Sequence, residues 1–118
     1  MQESARRLSS WWDSGFDLLL SPTTGTPAYE IGFLASPPDN PLAPLYKASS
    51  VLPFTGMYNI TGQPAISLPL HMSADGLPVG VQLGAAYGRE DVLVRVAAQI
   101  EEAAPWTGRI PPHHASRA

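Results

Sequence analysis

The residues best suited to chemistry are two adjacent serines close to the only lysine of the sequence: Lys47, Ser49 and Ser50. Serine–lysine pairs catalyse acyl transfer, in which the lysine activates the serine hydroxyl for attack on a carbonyl carbon. That reaction also needs an oxyanion hole, usually built from backbone N–H groups of a glycine-rich turn. The local sequence from Tyr46 to Val51 contains no glycine. Because no glycine-rich turn is present, a surface lysine beside a turn or helix cap is the simpler interpretation. A small autonomous serine–lysine hydrolase is the alternative hypothesis.

The histidines do not form a pattern typical of a metal site. His113 and His114 are adjacent in a proline-flanked tail, which lacks the further ligands and the fixed geometry that a zinc site needs. His71 lies in a connection between predicted strands, without an obvious partner. The sequence has no cysteine and no glycine-rich phosphate loop, so thiol catalysis and disulfides are excluded. We expect neither a metal nor a cofactor.

Composition and charge exclude several classes of protein. The net charge is −3 and the basic residues are scattered, which argues against nucleic-acid binding. No apolar run approaches the 18 or more residues of a membrane span, and the first residues lack the apolar core of a secretory signal. Charged residues make up 14% of the sequence, against about 25% in typical domains. We therefore expect a cytoplasmic chain with some faces covered by other protein.

The first half of the sequence predicts a helix, a strand and a long loop. Residues 1–13 carry Leu8, Trp11 and Trp12 at helical spacing, and these tryptophans are expected to pack rather than to act in a site. The apolar run 16–20 is typical of a strand covered on both faces. Residues 21–53 are rich in proline and glycine but too apolar for a solvated linker, which indicates an ordered loop lying across a surface.

The second half predicts a small sheet and a well-defined helix. Asp75-Gly76 is a turn signal between two short strands, which we expect to pair antiparallel. Apolar residues recur at helical spacing from residue 90 onward, and Pro105 ends that helix. From Trp106 onward the chain is expected to fray. The predicted elements are a short helix at 53–60, strands at 65–68 and 79–83, and a helix at 90–104.

Several segments, taken in order, resemble the closing part of amidase-signature enzymes. They are Phe-Asp-Leu-Leu-Leu-Ser-Pro-Thr-Thr at 16–24, Phe54-Thr55, Asn59, Thr-Gly-Gln-Pro-Ala-Ile-Ser-Leu-Pro at 61–69, Leu-Pro-Val-Gly-Val-Gln-Leu-Gly at 77–84, and Pro105-Trp106 after the last helix. Each segment is a weak signal alone, whereas their ordered combination is specific. The resemblance covers roughly residues 8–112.

The resemblance implies an α/β fold with a large mixed sheet and hydrolysis of carboxylic amides by a serine–cis-serine–lysine triad, without metal or cofactor. The catalytic lysine and the Gly-Gly-Ser-Ser-Gly-type loop of such enzymes lie upstream of the matched region, and neither has a counterpart here. We therefore assign no catalytic residue in this chain. The resemblance instead implies a stretch of substrate cleft formed by Phe54, Thr55, Tyr58 and Asn59. Asn59 could alternatively tie down backbone groups beside a turn.

Substrate preference is indicated by the residues before Phe54-Thr55. Relatives that transamidate aminoacyl-tRNA tend to carry an acid there, whereas this chain has Val51 and Leu52. That difference favours a general amidase acting on a relatively apolar amide.

Two hypotheses about the whole chain follow. In the first, residues 1–110 are the C-terminal segment of an amidase domain, with a disordered tail at 111–118, and the chain alone is inactive. Its partner is then the N-terminal amidase portion, and a small amide is bound only by the complete enzyme. In the second, the chain is an inactive remnant or interaction module that docks onto another protein. Neither nucleic acid nor a membrane is an expected partner.

Overall fold

The computed structural model of the chain describes residues 2–111 and 113–115. Within these residues the chain forms four α-helices, three β-strands and a 3₁₀ turn at Trp12–Ser14. The three predicted strands, the N-terminal helix and the C-terminal helix are confirmed. The helices are α1 (Gln2–Trp11), α2 (Ala43–Val51), α3 (Gly56–Thr61) and α4 (Glu90–Ala103); the strands are β1 (Leu19–Pro22), β2 (Ala65–Met72) and β3 (Pro78–Gly84).

The strands form one antiparallel sheet in the order β1-β3-β2. The pairing places Leu20 of β1 and Ile66 of β2 opposite Leu83 of β3. Because successive side chains of a strand point to opposite faces, these three residues share one apolar face, which we call the core face. The opposite face, which we call the polar face, consists mainly of small and polar residues: Leu19, Ser21, Ala65, Ser67, Gly80, Gln82 and Gly84.

Helix α4 covers part of the core face, as its apolar spacing predicted. Leu93 and Ala97, one turn apart on α4, form a buried cluster with Leu68, Leu83 and Ala85. Full burial of one leucine side chain contributes about 1.5–3 kcal/mol to stability. Glu90 and Asp91 lie in the first turn of the helix, where negative charge complements the helix dipole.

Strand β1 differs from its prediction in position and in cover. A strand buried on both faces was expected at 16–20, whereas β1 runs over Leu19–Pro22 at the edge of the sheet. Leu20 is 69% exposed, although its partner position Leu83 is buried. The reason is that α4 packs chiefly against β2. The described residues therefore leave part of the apolar side-chain surface of β1 uncovered.

Helix α2 lies within the segment that was predicted to be a loop. Prolines were expected to prevent a long helix throughout 21–53, but Pro44 stands in the first turn of α2. A proline is tolerated there because the first turn of a helix has no use for its missing N–H group. The next seven residues contain neither proline nor glycine, so the helix continues to Val51. Apart from α2 and the last two residues of β1, the segment has no helix or strand, as predicted.

The β2–β3 hairpin closes at the predicted Asp75-Gly76 turn. Gly76 has a φ of +77°, which favours glycine, and its N–H donates to the carbonyl of Ser73 at 2.9 Å. Strand β2 extends beyond its predicted end at Leu68: the register shifts between Leu68 and His71, and the pairing with β3 then continues to Met72. This irregularity accommodates Pro69, which has no N–H to give to the ladder.

The segment after α4 folds back onto this irregularity instead of fraying at Trp106. Trp106 packs against the buried cluster, and the guanidinium Nη1 of Arg109 donates to the carbonyl of Pro69 at 2.7 Å. The bond satisfies a carbonyl at the point where the strand pairing is disturbed. Of the tail that was predicted to be disordered at 111–118, residues 112 and 116–118 lie outside the described residues.

The chain exposes more surface than a domain of its mass normally does. Its accessible area is 8548 Å² at 12.6 kDa, whereas an independent folded domain of this mass exposes about 6,200 Å². Its radius of gyration is 17.2 Å, against about 13.5 Å expected for 118 residues. Exposed large apolar side chains account for part of the difference, including Phe16, Leu20, Ile31, Leu45 and Tyr46. This surface is consistent with faces that other protein covers.

Helix α3 lies on the polar face because β3 has a glycine beneath it. The ring of Tyr58 packs on Gly84 so closely that a Cβ added there would lie 2.5 Å from the ring atoms Cε1 and Cζ and would also overlap the hydroxyl oxygen. Only glycine leaves room for this contact. Gly62 then ends α3 with a φ of +71°, and its N–H donates to the carbonyl of Tyr58 at 2.8 Å.

We expect the substitution Gly84→Ala to destabilise the chain by about 1–3 kcal/mol, because the added methyl group forces α3 away from the sheet. Gly56→Ala is the matched control, since a Cβ there meets no atom within 4 Å. In a helix that change is expected to be neutral or to stabilise by up to about 1 kcal/mol. Urea unfolding followed by circular dichroism measures both, and equal stabilities for the two variants would contradict the proposed contact.

Candidate functional site

The four predicted cleft residues lie together where α3 begins. Phe54 and Thr55 precede the helix and are half-buried, and Asn59 is exposed on it. Tyr58 is only 8% exposed, because its ring faces Gly84. Three of the predicted residues are therefore accessible to a ligand, and the fourth fixes the helix on the polar face. Contact between these residues and a substrate stays a prediction.

A buried glutamine connects the sheet to this segment. Gln82, in the middle of β3, is 4% exposed. Its side-chain Nε2 donates to the hydroxyl of Ser21 on β1 at 3.3 Å and to the backbone carbonyl of Phe54 at 3.5 Å. Both bonds are long, but together they use both N–H groups of one amide. Gln82 therefore holds the start of the predicted cleft segment against the central strand.

Two hydroxyl groups meet farther along the same face. Thr23 Oγ1 and Ser67 Oγ share a hydrogen bond of 2.6 Å across the middle strand. They pass over Gly80, where an added Cβ would lie 2.7 Å from each hydroxyl oxygen. The bridge thus requires glycine at this position of β3. It lies in a shallow cavity of about 300 Å³ lined by Thr23, Thr24, Ser67, Pro69, Pro78, Val79 and Gly80.

Two polar atoms near α3 are buried without a hydrogen-bond partner among the described residues: Tyr58 Oη and Gln63 Nε2. Leaving a buried donor unsatisfied costs about 1–3 kcal/mol. Burial also raises the pKa of the Tyr58 hydroxyl above its ordinary value, because the charged phenolate is poorly solvated there. Tyr58 is therefore a neutral hydroxyl that can donate or accept one hydrogen bond, and it is not poised to act as a base near neutral pH.

The serine–lysine trio suggested by the sequence is not assembled into a catalytic arrangement. Ser49 and Ser50 lie on α2, and their hydroxyls donate to the carbonyls of Tyr46 and Lys47 in the preceding turn, both at 2.7 Å. The Lys47 Nζ donates to the backbone carbonyl of Phe33 at 3.0 Å and lies 5.0 Å from the centre of the Phe33 ring. All three side chains serve local structure, as the simpler interpretation held.

The tryptophans of the N-terminal segment also pack as expected. The Trp11 ring stacks on Phe16 with centroids 4.9 Å apart and meets Trp12 edge-on at 4.8 Å. Helix α1 in turn packs against α3. Helix α1, which carries Trp11, thus lies beside the helix that carries Tyr58 and Asn59.

Sequence reasoning missed the residues that organise the site from the sheet: Gln82 and the hydroxyl pair Thr23 and Ser67. A signal for Gln82 was present, because it is the one polar side chain in the apolar run from Val79 to Leu83. A buried polar group in a strand is normally hydrogen-bonded, so it points to a partner on a neighbouring element. The hydroxyl pair had no comparable signal, since 44 residues separate its members.

Among the described residues, no group of three or more His, Asp or Glu side chains is placed to hold a metal ion. The described helices also include none that is long and apolar enough to cross a membrane.

We expect the stability of the chain, relative to its Tyr58→Phe variant, to fall as pH rises above about 10. The unfolded chain ionises Tyr58 near that pH, whereas the raised pKa keeps the folded hydroxyl neutral, so ionisation favours unfolding. Below that pH the difference should be constant. Urea unfolding of both chains between pH 8 and pH 11.5 measures it, and the comparison cancels the other titrating groups. A constant difference throughout would contradict burial of this hydroxyl.

Comparison with known proteins places the chain among amidases. The family described as Amidase matches residues 1–94. The 6-aminohexanoate-cyclic-dimer hydrolase of Paenarthrobacter ureafaciens is 47% identical over an alignment of 112 residues that covers 91% of this chain and 23% of that protein. A putative amidase, AmiC, of Mycobacterium tuberculosis is 46% identical over 101 residues, or 86% of this chain and 21% of that protein. The chain thus spans under a quarter of the length of these relatives.

Solved structures agree with the sequence comparison. The structure of 6-aminohexanoate cyclic dimer hydrolase complexed with substrate matches 92% of this chain and 23% of that protein, with a TM-score of 0.84 and 47% identity. A glutamyl-tRNA(Gln) amidotransferase subunit of Thermotoga maritima matches 86% of this chain and 21% of its own length, with a TM-score of 0.63 and 31% identity. The matched region is the C-terminal part of these enzymes. The chain belongs to the amidase signature family.

Proposed function

We propose that this chain forms one wall of the substrate cleft of an amidase that hydrolyses carboxylic amides. The observation that carries the proposal is the match of nearly the whole chain, with a TM-score of 0.84, to a hydrolase solved with its substrate. The proposed wall consists of Phe54, Thr55 and Asn59, with Tyr58 and Gln82 holding it on the sheet. The reaction itself requires a serine–cis-serine–lysine triad, which is assigned to the upstream portion of the fold.

The proposed substrate is a relatively apolar amide, such as the cyclic dimer of 6-aminohexanoate named for the relatives at 47% identity. Support comes from the residues next to the proposed wall. The residues shortly before Phe54 are Val51 and Leu52, which are apolar and carry no acidic group. Val51 is buried and Leu52 is about half-exposed. An aminoacyl-tRNA substrate is correspondingly disfavoured. A cytoplasmic location remains part of the proposal.

A chemical role for the wall follows from its side chains. The Asn59 amide is exposed, so it can donate to the carbonyl oxygen of a bound amide or accept from its N–H group. Phe54 offers a half-buried ring to a methylene chain. Such contacts orient the scissile bond relative to a nucleophile, and orientation of this kind lowers the barrier without any acid–base step in the wall itself.

A second candidate function is an inactive interaction module that docks onto another protein. The observation that favours it is the accessible area of 8548 Å², which exceeds by about 2,300 Å² the area of an independent domain of this mass. The two functions share the need for a partner and differ in whether the completed fold turns over an amide.

The first proposal predicts an active chimera in which this chain replaces the matching C-terminal part of the Paenarthrobacter ureafaciens hydrolase. We expect hydrolysis of the cyclic dimer, measured by release of new amine. Asn59→Ala in the chimera should lower kcat/KM about tenfold or more, because one polar contact to the substrate is lost. Asn40→Ala, at an exposed loop position, is the matched control and should change it less than about twofold.

Three outcomes would contradict the proposal. One is a folded chimera that hydrolyses no amide, which would favour the interaction module. Another is equal activity of the Asn59→Ala and Asn40→Ala chimeras, which would remove Asn59 from the wall. The third is hydrolysis by the unmodified 118-residue chain alone, which would require a catalytic site within it; loss of that activity in Lys47→Ala would restore the serine–lysine hypothesis.

A further inference from the structure

A cavity of about 750 Å³ lies beside the Gly76 turn of the β2–β3 hairpin, against the segment that follows α4. We call it the hairpin cavity. Its volume falls within the range of about 300–1,000 Å³ that is typical of small-molecule sites. Apolar residues dominate its wall: Pro69, Met72, Pro78, Trp106, Ile110 and Pro111. Among the described residues that line the cavity, the one charged side chain is that of Arg109.

The segment that closes the hairpin cavity is fixed by contacts within the chain. The N–H of Arg109 donates to the carbonyl of Trp106 at 2.9 Å, which closes a four-residue turn. The side chain of Trp106 packs against the buried cluster between the sheet and α4. The cavity therefore lies between two segments that the fold itself holds in place, and this reduces the ordering cost of binding a ligand.

The guanidinium of Arg109 is oriented by a bond at one of its nitrogens. Nη1 donates to the carbonyl of Pro69 at 2.7 Å. Among the described residues, no acidic side chain forms an ion pair with Arg109. The guanidinium edge formed by Nε and Nη2 thus carries N–H groups for an acceptor from outside the chain. Such an edge binds a carboxylate through two parallel hydrogen bonds.

The make-up of the wall favours an anion with a single charge and an apolar body. Phosphate groups are usually bound by clusters of arginine or by nests of backbone N–H groups. The lining of the hairpin cavity instead supplies one cation, which matches one carboxylate. The apolar residues around Arg109 match an aliphatic chain, because removing apolar area from water stabilises the complex.

We propose that the hairpin cavity binds a small aliphatic carboxylate, with the carboxylate on Arg109 and the aliphatic chain against Trp106 and Ile110. This site goes beyond the proposed function. Pro78, at the start of β3, is six residues from Gly84, on which Tyr58 packs. Six residues of a strand span about 20 Å. The ligand is therefore bound at the other end of β3 from the residues that hold the proposed wall.

Octanoate is the probe for this site, titrated into the 118-residue chain and followed by NMR through the indole N–H of Trp106. We expect saturable one-to-one binding with a Kd at or below about 1 mM. Octanamide has the same chain without the charge, so it should bind at least about tenfold more weakly. Acetate lacks the aliphatic chain and should show no saturation up to about 10 mM.

Two substitutions separate the charge of Arg109 from its bond to Pro69. Arg109→Gln keeps an N–H donor for the Pro69 carbonyl but removes the charge. It should weaken octanoate binding about tenfold or more and leave octanamide binding within about twofold. Arg109→Lys keeps the charge and should bind octanoate more tightly than Arg109→Gln does. Arg7→Gln, at an exposed position of α1, is the matched control and should change neither affinity. Circular dichroism checks that each variant keeps the fold.

The inference is overturned if octanoate does not saturate the unchanged chain, if octanamide binds as tightly as octanoate, or if Arg109→Gln and Arg7→Gln have equal affinities. Self-association that Arg109→Gln abolishes, measured by light scattering, would also overturn it, because a second copy would then occupy the cavity. None of these results depends on amide hydrolysis, so failure of the proposed function in the chimera is a separate outcome.

Discussion

The candidate site depends on the close approach of neighbouring segments to the backbone of the central strand, β3. Strand β3 has glycine at positions 80 and 84, and at both positions another segment occupies the space of a side chain. At Gly84 that segment is the ring of Tyr58, which holds α3; at Gly80 it is the hydroxyl bridge between the flanking strands. Between them, Gln82 ties Phe54 to the sheet. The polar face is thus organised by three alternate positions of β3: Gly80, Gln82 and Gly84.

On the core face of the sheet, the limitation is the small apolar area that is buried. Helix α4 covers only part of the core face, and the buried cluster among the described residues is small. Folding a chain of this length costs conformational entropy of order 100–200 kcal/mol, and domains retain only about 5–15 kcal/mol of net stability. Additional cover over β1 is therefore significant for the stability of the fold as well as for its function.

Local signals in the sequence predicted the elements that depend on local chemistry. The amphipathic spacing of α4, the Asp75-Gly76 turn and the β2–β3 pairing were all predictable. Helix α2 was missed because proline content was read across the whole segment, whereas Pro44 stands at a tolerated position. The edge position of β1 was missed because an apolar run indicates only that a strand needs other elements packed on it. It does not show whether this chain contains those elements.

For the candidate site, the sequence allowed predictions about residues that are close together in the chain, but not about contacts between distant segments. The order of motifs identified the family. It also led to the prediction that Phe54, Thr55, Tyr58 and Asn59, all within six residues, line a substrate cleft, and this stays a prediction. Contacts between distant segments, such as Thr23 with Ser67 and Arg109 with Pro69, were not predictable, because no periodicity or turn signal connects them. Gln82, a polar residue within an apolar strand, was the exception that carried information about long-range structure.

The pairing of β1 with β3 also has a consequence for the order of folding. Ser21 and Gln82, which meet across these strands, are 61 residues apart, whereas β2 and β3 are joined by a short turn. The entropy of loop closure grows with the length of the loop, so the local hairpin can assemble before the distant strand joins it. On this ordering β1 is the last strand to be added to the sheet and the first to detach.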